Sequence, residues 1–287
     1  MDDAVPADWL GRREFARDMI TESACVRMAA TLDRDPPELG AGLPAPWHWM
    51  AFLPQARQSA ISADGHPPRA GFLAQGELPR RMWASGSMRL LAPVPIGVPI
   101  ERESEIVGLD DKRGRSGRLL FLTLRHRIRS VQGGLLIDER QHIVYREPSA
   151  GAQAMPAGEP APTDPHWRRR IDPDPTLLFR FSALTFNAHR IHYDRRYAMD
   201  VEGYPGLVVH GPLLATMLLD ALRHEGGLAQ TPDWFEFRAQ RPVIDVAPFW
   251  VCGRHDADDR HSLWIEDNEG FVCVKAYAGR VPDQNAP

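Results

Sequence analysis

Residues 179–223 gather an asparagine, three histidines and a Gly-Pro pair into one short span: Asn187, His189, His192, His210, Gly211 and Pro212. An imidazole titrating near pH 6.5 can exchange protons at neutral pH. An amide side chain can hold a water or a carbonyl but cannot take a proton as a base. A glycine at a helix N-terminus can leave its N–H unpaired where the helix dipole adds about half a positive charge. Such a donor can hold a developing oxyanion. Each element has an ordinary reading alone: a turn or cap for Asn187, a structural role for His189, a plain helix start for Gly211-Pro212. In this order and spacing they supply what adding water across a polarised double bond requires.

The elements that must position these residues are read from periodicity. Gly211 to Arg223 is apolar nearly all round, as expected of a helix buried by a sheet. Proline is favoured at the first position of such a helix. Trp234–Gln240, Phe249–His255, Ser262–Glu266 and Phe271–Ala278 are expected as strands, with Asp267–Gly270 turning the last two. In the first half, residues 8–34 read as helical until Pro36-Pro37, and Trp47–Leu53 as the start of a buried helix. Residues 62–82 read as a long loop, able to bring Asp64, His66, Arg80, Arg81 and Trp83 to a pocket. From Ser85 to Glu147 strands are expected, Leu120, Leu122 and Leu124 alternating and Gly133-Gly134 turning. Residues 151–175 read as a linker between an N-terminal domain (1–150) and a C-terminal one (176–287). Met88-Arg-Leu-Leu-Ala-Pro-Val and Phe237-Arg-Ala-Gln-Arg-Pro-Val align at an offset of 149, which Pro99 and Pro248 also share. A duplicated domain is expected, with the chemistry in the second copy alone.

With 287 residues, 43% of them hydrophobic, the chain can build one large core or two ordinary ones. Net charge is −4, so no polyanion-binding surface and no nucleic-acid partner is expected. Cys25, Cys252 and Cys273 are odd in number and far apart, which supports neither a disulfide framework nor a zinc site. No leader-like or membrane-spanning apolar run is found, so a cytoplasmic protein with no membrane partner is expected.

Ser182-Ala-Leu-Thr-Phe-Asn-Ala-His-Arg-Ile-His-Tyr-Asp194 and Glu202-Gly-Tyr-Pro-Gly-Leu-Val-Val-His-Gly-Pro-Leu213 resemble the active-site segment of the MaoC-like, R-specific enoyl-CoA hydratases. They resemble most a subgroup of mesaconyl-C4-CoA and itaconyl-CoA hydratases and mitochondrial-type 3-hydroxyacyl-thioester dehydratases. Gly65-His-Pro and Pro79-Arg-Arg-Met-Trp-Ala-Ser-Gly86 resemble that subgroup's N-terminal domain. The resemblance implies an α+β double hotdog, each lobe a long central helix wrapped by a bent antiparallel sheet. It implies His192 as the catalytic histidine and Gly211 as the oxyanion-hole glycine. Asn187 falls where the wider family has an aspartate, so His192 would work on water that Asn187 positions, with Asp64 or Asp194 as stand-in carboxylates. The implied reaction is hydration of a short 2-enoyl-CoA, best a C5 dicarboxylic one giving citramalyl-CoA. Arg190, Arg80 or Arg81 would grip its distal carboxylate, and His189, His210, Trp83 and Asp64 would line the substrate site. No cofactor and no metal is implied, CoA thioester being substrate, and the reading admits a homodimer. The rival readings are a dehydratase of fatty acid synthesis, a hotdog thioesterase, or a non-catalytic acyl-thioester binder.

Overall fold

In the computed structural model, which describes residues 9–38, 40–68, 72, 78, 80–114, 117–147, 155–228 and 231–281, ten strands join into one antiparallel sheet. The first five are β1 (Arg13–Asp18), β2 (Arg80–Leu90), β3 (Ile100–Gly114), β4 (Gly117–Ser130) and β5 (Leu135–Arg146). The second five are β6 (Trp167–Ile171), β7 (Trp234–Ala239), β8 (Phe249–His255), β9 (Arg260–Glu266) and β10 (Val272–Gly279). The order is β1-β3-β4-β5-β2 followed by β7-β10-β9-β8-β6, so one five-stranded topology appears twice, back to back. Strands β2 and β7 close the seam, from Ser85 opposite Arg238 to Arg89 opposite Trp234. The two aligned segments begin on these strands, Met88 to Leu90 on β2 and Phe237 to Ala239 on β7.

Period-2 burial drives the strands: Leu120, Leu122 and Leu124 of β4 are buried while their neighbours are half-exposed. Bulges at Trp83/Ser85, Ile106/Gly108 and Val272/Val274 bend the sheet. Three helices complete the fold: α1 (Glu22–Thr31), α2 (Pro175–Thr185) and α3 (Gly211–His224). Helix α3 packs on β8, β9 and β10, and every side chain from Leu213 to Leu222 is buried. A surface helix would leave one face polar; this one is the core of its lobe.

Four expectations change. Residues 13–18 of the predicted N-terminal helix form β1 instead. Arg13 pairs with Glu103 and Glu105, and Arg17 with Glu101, across β3, and Thr21 caps a helix starting only at Glu22. Trp47–Met50 makes one tight turn rather than a helix start, because Phe52 turns left-handed (φ +58°) and donates its N–H to Asp18. Its His48 and Trp49 are tied to the buried carboxylate of Glu139. The predicted linker ends early: Pro160 bridges Phe271, and Trp167–Ile171 is edge strand β6 on β8. Finally, no counterpart of α3 is found among the described residues of the first lobe. The three cysteines are buried and free.

Candidate active site

Asp174 caps α2 by accepting the Leu177 N–H, and Pro175 follows where its missing donor costs nothing. The helix stops because Phe186 adopts a left-handed conformation (φ +48°). Asn187 donates its N–H to the Ser182 carbonyl and accepts the His189 N–H on Oδ1 at 3.0 Å. That Asx turn throws the chain into the short turn Arg190–His192. The return segment then docks: the N–H of Val208 donates to the Ile191 carbonyl, and the N–H of Val209 to that of Val243. Helix α3 starts two residues later.

His192 is buried, and its Nδ1 lies 2.7 Å from the Val208 carbonyl oxygen. A carbonyl only accepts, so Nδ1 carries the hydrogen and Nε2 keeps its lone pair. Burial first, then the nearby imidazoles of His189 and His66, push its imidazole down to about 3 against the opposing Val208 bond. The ring is therefore neutral, with its Nε2 lone pair unprotonated. Its ring stacks at 3.7 Å on His210, the N-cap of α3. His210 is fully buried, contacts Ser182 Oγ through Nε2 at 2.8 Å, and is held well below its ordinary value by burial and by His192. It buttresses His192 from behind. Next in the chain, the Gly211 N–H meets no backbone acceptor among the described residues, and a Cβ there would meet nothing within 4 Å. A free donor, open space and a neutral imidazole thus meet at the start of α3.

The row of rings extends into the first lobe. His189 meets His192 at right angles at 5.4 Å and packs tilted against His66 at 4.1 Å. Burial, then His66 and Arg81, drive His189 down to about 3, with Asp64 opposing. Asp64 takes the His66 Nδ1 at 2.9 Å on one oxygen and the His66 N–H at 3.0 Å on the other. Burial raises its carboxyl, yet these bonds and the charge of His66 and His189 carry it well below the carboxylate range. The loop is locked against the second lobe by Arg190, whose N–H donates to the Asp64 carbonyl and whose Nη1 donates to that of Ala63. Gly65 (φ +91°) makes the approach possible, since a Cβ there would lie 1.7 Å from the Ala188 carbonyl oxygen.

The remaining predicted residues divide. Arg190 is occupied by Asp194, at 2.7 and 3.1 Å, and by the Tyr197 ring. Arg80 is held by Glu202 at 2.9 Å. Trp83 joins Trp49 and Phe237 in an aromatic cluster at the β2–β7 seam, its indole N–H spent on Ser85. The Arg81 side chain has no hydrogen-bonding or ion-pair partner among the described residues, and its charge bears on His189. Ser182 and the Val208 carbonyl are the components that sequence reasoning left out of the site, whereas His66 was offered as a pocket residue of its loop. Among the described residues one group, Asp64, His66 and His189, could hold a metal ion, its donor atoms within 4.8 Å of one another. Two of the three donors are already bonded to each other.

The family model described as hydroxyacyl-thioester dehydratase type 2 matches residues 46–245. The mesaconyl-C(4)-CoA hydratase of Chloroflexus aurantiacus is 47% identical over 270 residues, 93% of this chain and 95% of that protein. The mitochondrial hydroxyacyl-thioester dehydratase type 2 of Schizosaccharomyces pombe is 27% identical, over 77% of this chain and 79% of its own. Among solved structures, a MaoC-like dehydratase from Phytophthora capsici superposes with a TM-score of 0.71 at 15% identity, covering 97% of this chain and 100% of that one. A Mycobacterium tuberculosis protein described as a double hotdog fold does so at 0.54 and 14% identity, covering 97% of each chain.

Proposed function

The chain belongs to the hydroxyacyl-thioester dehydratase type 2 family, and from that premise we propose that it is a hydro-lyase interconverting a short 2-enoyl-CoA and its 3-hydroxyacyl-CoA. One observation carries the reading. His192 is neutral, its Nδ1–H is spent on Val208, and its ring stacks on the residue before the free Gly211 N–H.

The Gly211 N–H receives the thioester oxygen, which draws electron density from Cβ; such a donor contributes about 3 kcal/mol to the transition state. His192 Nε2 takes a proton from water as its oxygen bonds Cβ, and a proton reaches Cα. Dehydration retraces the same steps. Asn187 cannot take the base's place, because an amide does not accept a proton at neutral pH. Asp194 cannot either, being paired with Arg190.

The similarity to a mesaconyl-C(4)-CoA hydratase supports a C5 dicarboxylic acyl group. Of the three arginines considered for its distal carboxylate, Arg190 and Arg80 already hold acidic side chains. Arg81 supplies the fork. Hydration of mesaconyl-C4-, itaconyl-, crotonyl- and a long-chain 2-enoyl-CoA tests this, in wild type and Arg81→Ala. The dicarboxylic esters should react fastest. Losing a charged hydrogen bond should raise their KM about 10- to 100-fold and leave crotonyl-CoA unchanged. Fastest turnover of the long-chain ester, or an Arg81→Ala variant indifferent to the carboxylate, would refute it.

A further inference from the structure

Hydration moves two protons, one off water and one onto Cα, and His192 accounts only for the first. Asn187 has no acid proton to give, and Asp194 is bound to Arg190. His210 is buried and His189 half-buried, and neither has a carboxylate bonded to it among the described residues. His66 differs. It enters from the other lobe, its side chain still partly open to solvent, and both oxygens of Asp64 grip it, one on the ring Nδ1 and one on the backbone N–H. That grip fixes the ring and leaves Nε2 as the working atom. Its ring packs at 4.1 Å, tilted, against His189, which in turn meets His192 at right angles at 5.4 Å, so one ring, His189, touches both imidazoles.

We propose that His66 is a second catalytic residue of this site, giving its Nε2 proton to Cα, with Asp64 as its positioning residue and counter-charge. The proposal rests on the hydratase reading above. In the hydration direction water yields a proton to His192 and its oxygen bonds Cβ. The π pair moves into the thioester as an enolate held at Gly211, and the enolate collapses as His66 protonates Cα. One proton has then passed from His66 to His192 and returns through solvent, so no other reactant is consumed. The Asp64 carboxylate, held ionised, is the partner an imidazolium at His66 requires.

His66→Gln and Asp64→Asn test it, both variants keeping the loop's backbone bond from Arg190 to the Asp64 carbonyl. His66→Gln should lower kcat by about 100-fold or more with KM nearly unchanged. The groups facing His66 are Asp64 from its own loop and His189 and Arg190 from the opposite turn, with His192 and Arg81 beyond. A required acid makes kcat fall as pH rises, and that alkaline limb should vanish in His66→Gln and shift in Asp64→Asn. Wild-type kcat and an unchanged pH profile in His66→Gln would overturn the proposal while leaving the hydratase reading intact. One metal ion per chain, whose removal by EDTA abolishes turnover, would also overturn it, by making Asp64, His66 and His189 a metal site. A wild-type protein that hydrates none of the thioesters removes the hydratase reading itself.

Discussion

Burial and mutual repulsion keep His189, His192 and His210 neutral, and His126 of the first lobe is held at about 4, by burial above all and against Glu139. A neutral imidazole with one nitrogen committed is the form that can deprotonate water, so desolvation sets the chemistry as much as position does. It also has a thermodynamic consequence. In the unfolded chain these rings take up protons near pH 6.5, whereas the folded chain binds them only below about 4. The unfolded state therefore binds more protons between those values, and stability present above pH 6.5 is lost as pH falls. Urea midpoints measured from pH 7 to pH 5, before carboxylates titrate, should drop steadily; a flat line would contradict the assignment. His192 and Gly211 were legible as candidates because each sits in a short motif, Asn187 to His192 and Val209 to Gly211. The tautomer was not, since Val208 lies sixteen residues from His192 and reaches it only through the fold.

At the scale of elements, the site is a meeting of two loops and one helix start. The caps of α2 and the buried face of α3 follow from their sequences: Asp174-Pro175 at one start, Gly211-Pro212 at the other, and a run between 213 and 222 that is apolar except for Thr216 and Asp220. The loop at 62–66 was legible as a loop that could line a pocket, but not its docking, because its partners at 187–190 are remote in sequence and no periodicity marks the contact. Arg190 is the clearest case. Sequence offered it to the substrate, and the structure spends it on fastening this loop. Gly65→Ala tests the fastening, for it meets both a positive φ and the Ala188 carbonyl. It should cost about 1–3 kcal/mol of stability and lower kcat. Gly97→Ala, at φ +76° with nothing within 4 Å, should cost strain alone and leave kcat untouched. Equal effects on kcat would show that the loop does not shape the site.

Across the whole molecule, one topology is used twice and then divided in labour. The second lobe keeps α3 at its centre and carries His192 and Gly211. Among its described residues the first lobe shows no such helix at the matching positions, and extends a loop bearing Asp64 and His66 toward its partner. The duplication was legible from seven aligned residues, the first three of which lie on β2 and β7, the two strands that form the seam. The shared site was not, since it depends on how the lobes abut. No helix among the described residues is long and apolar enough to cross a membrane. Hydration of mesaconyl-C4-CoA by His192→Ala beside wild type tests the account most directly. Loss of the base should cut kcat by about 100-fold or more in a variant that still folds, whereas turnover within a few-fold of wild type would contradict it.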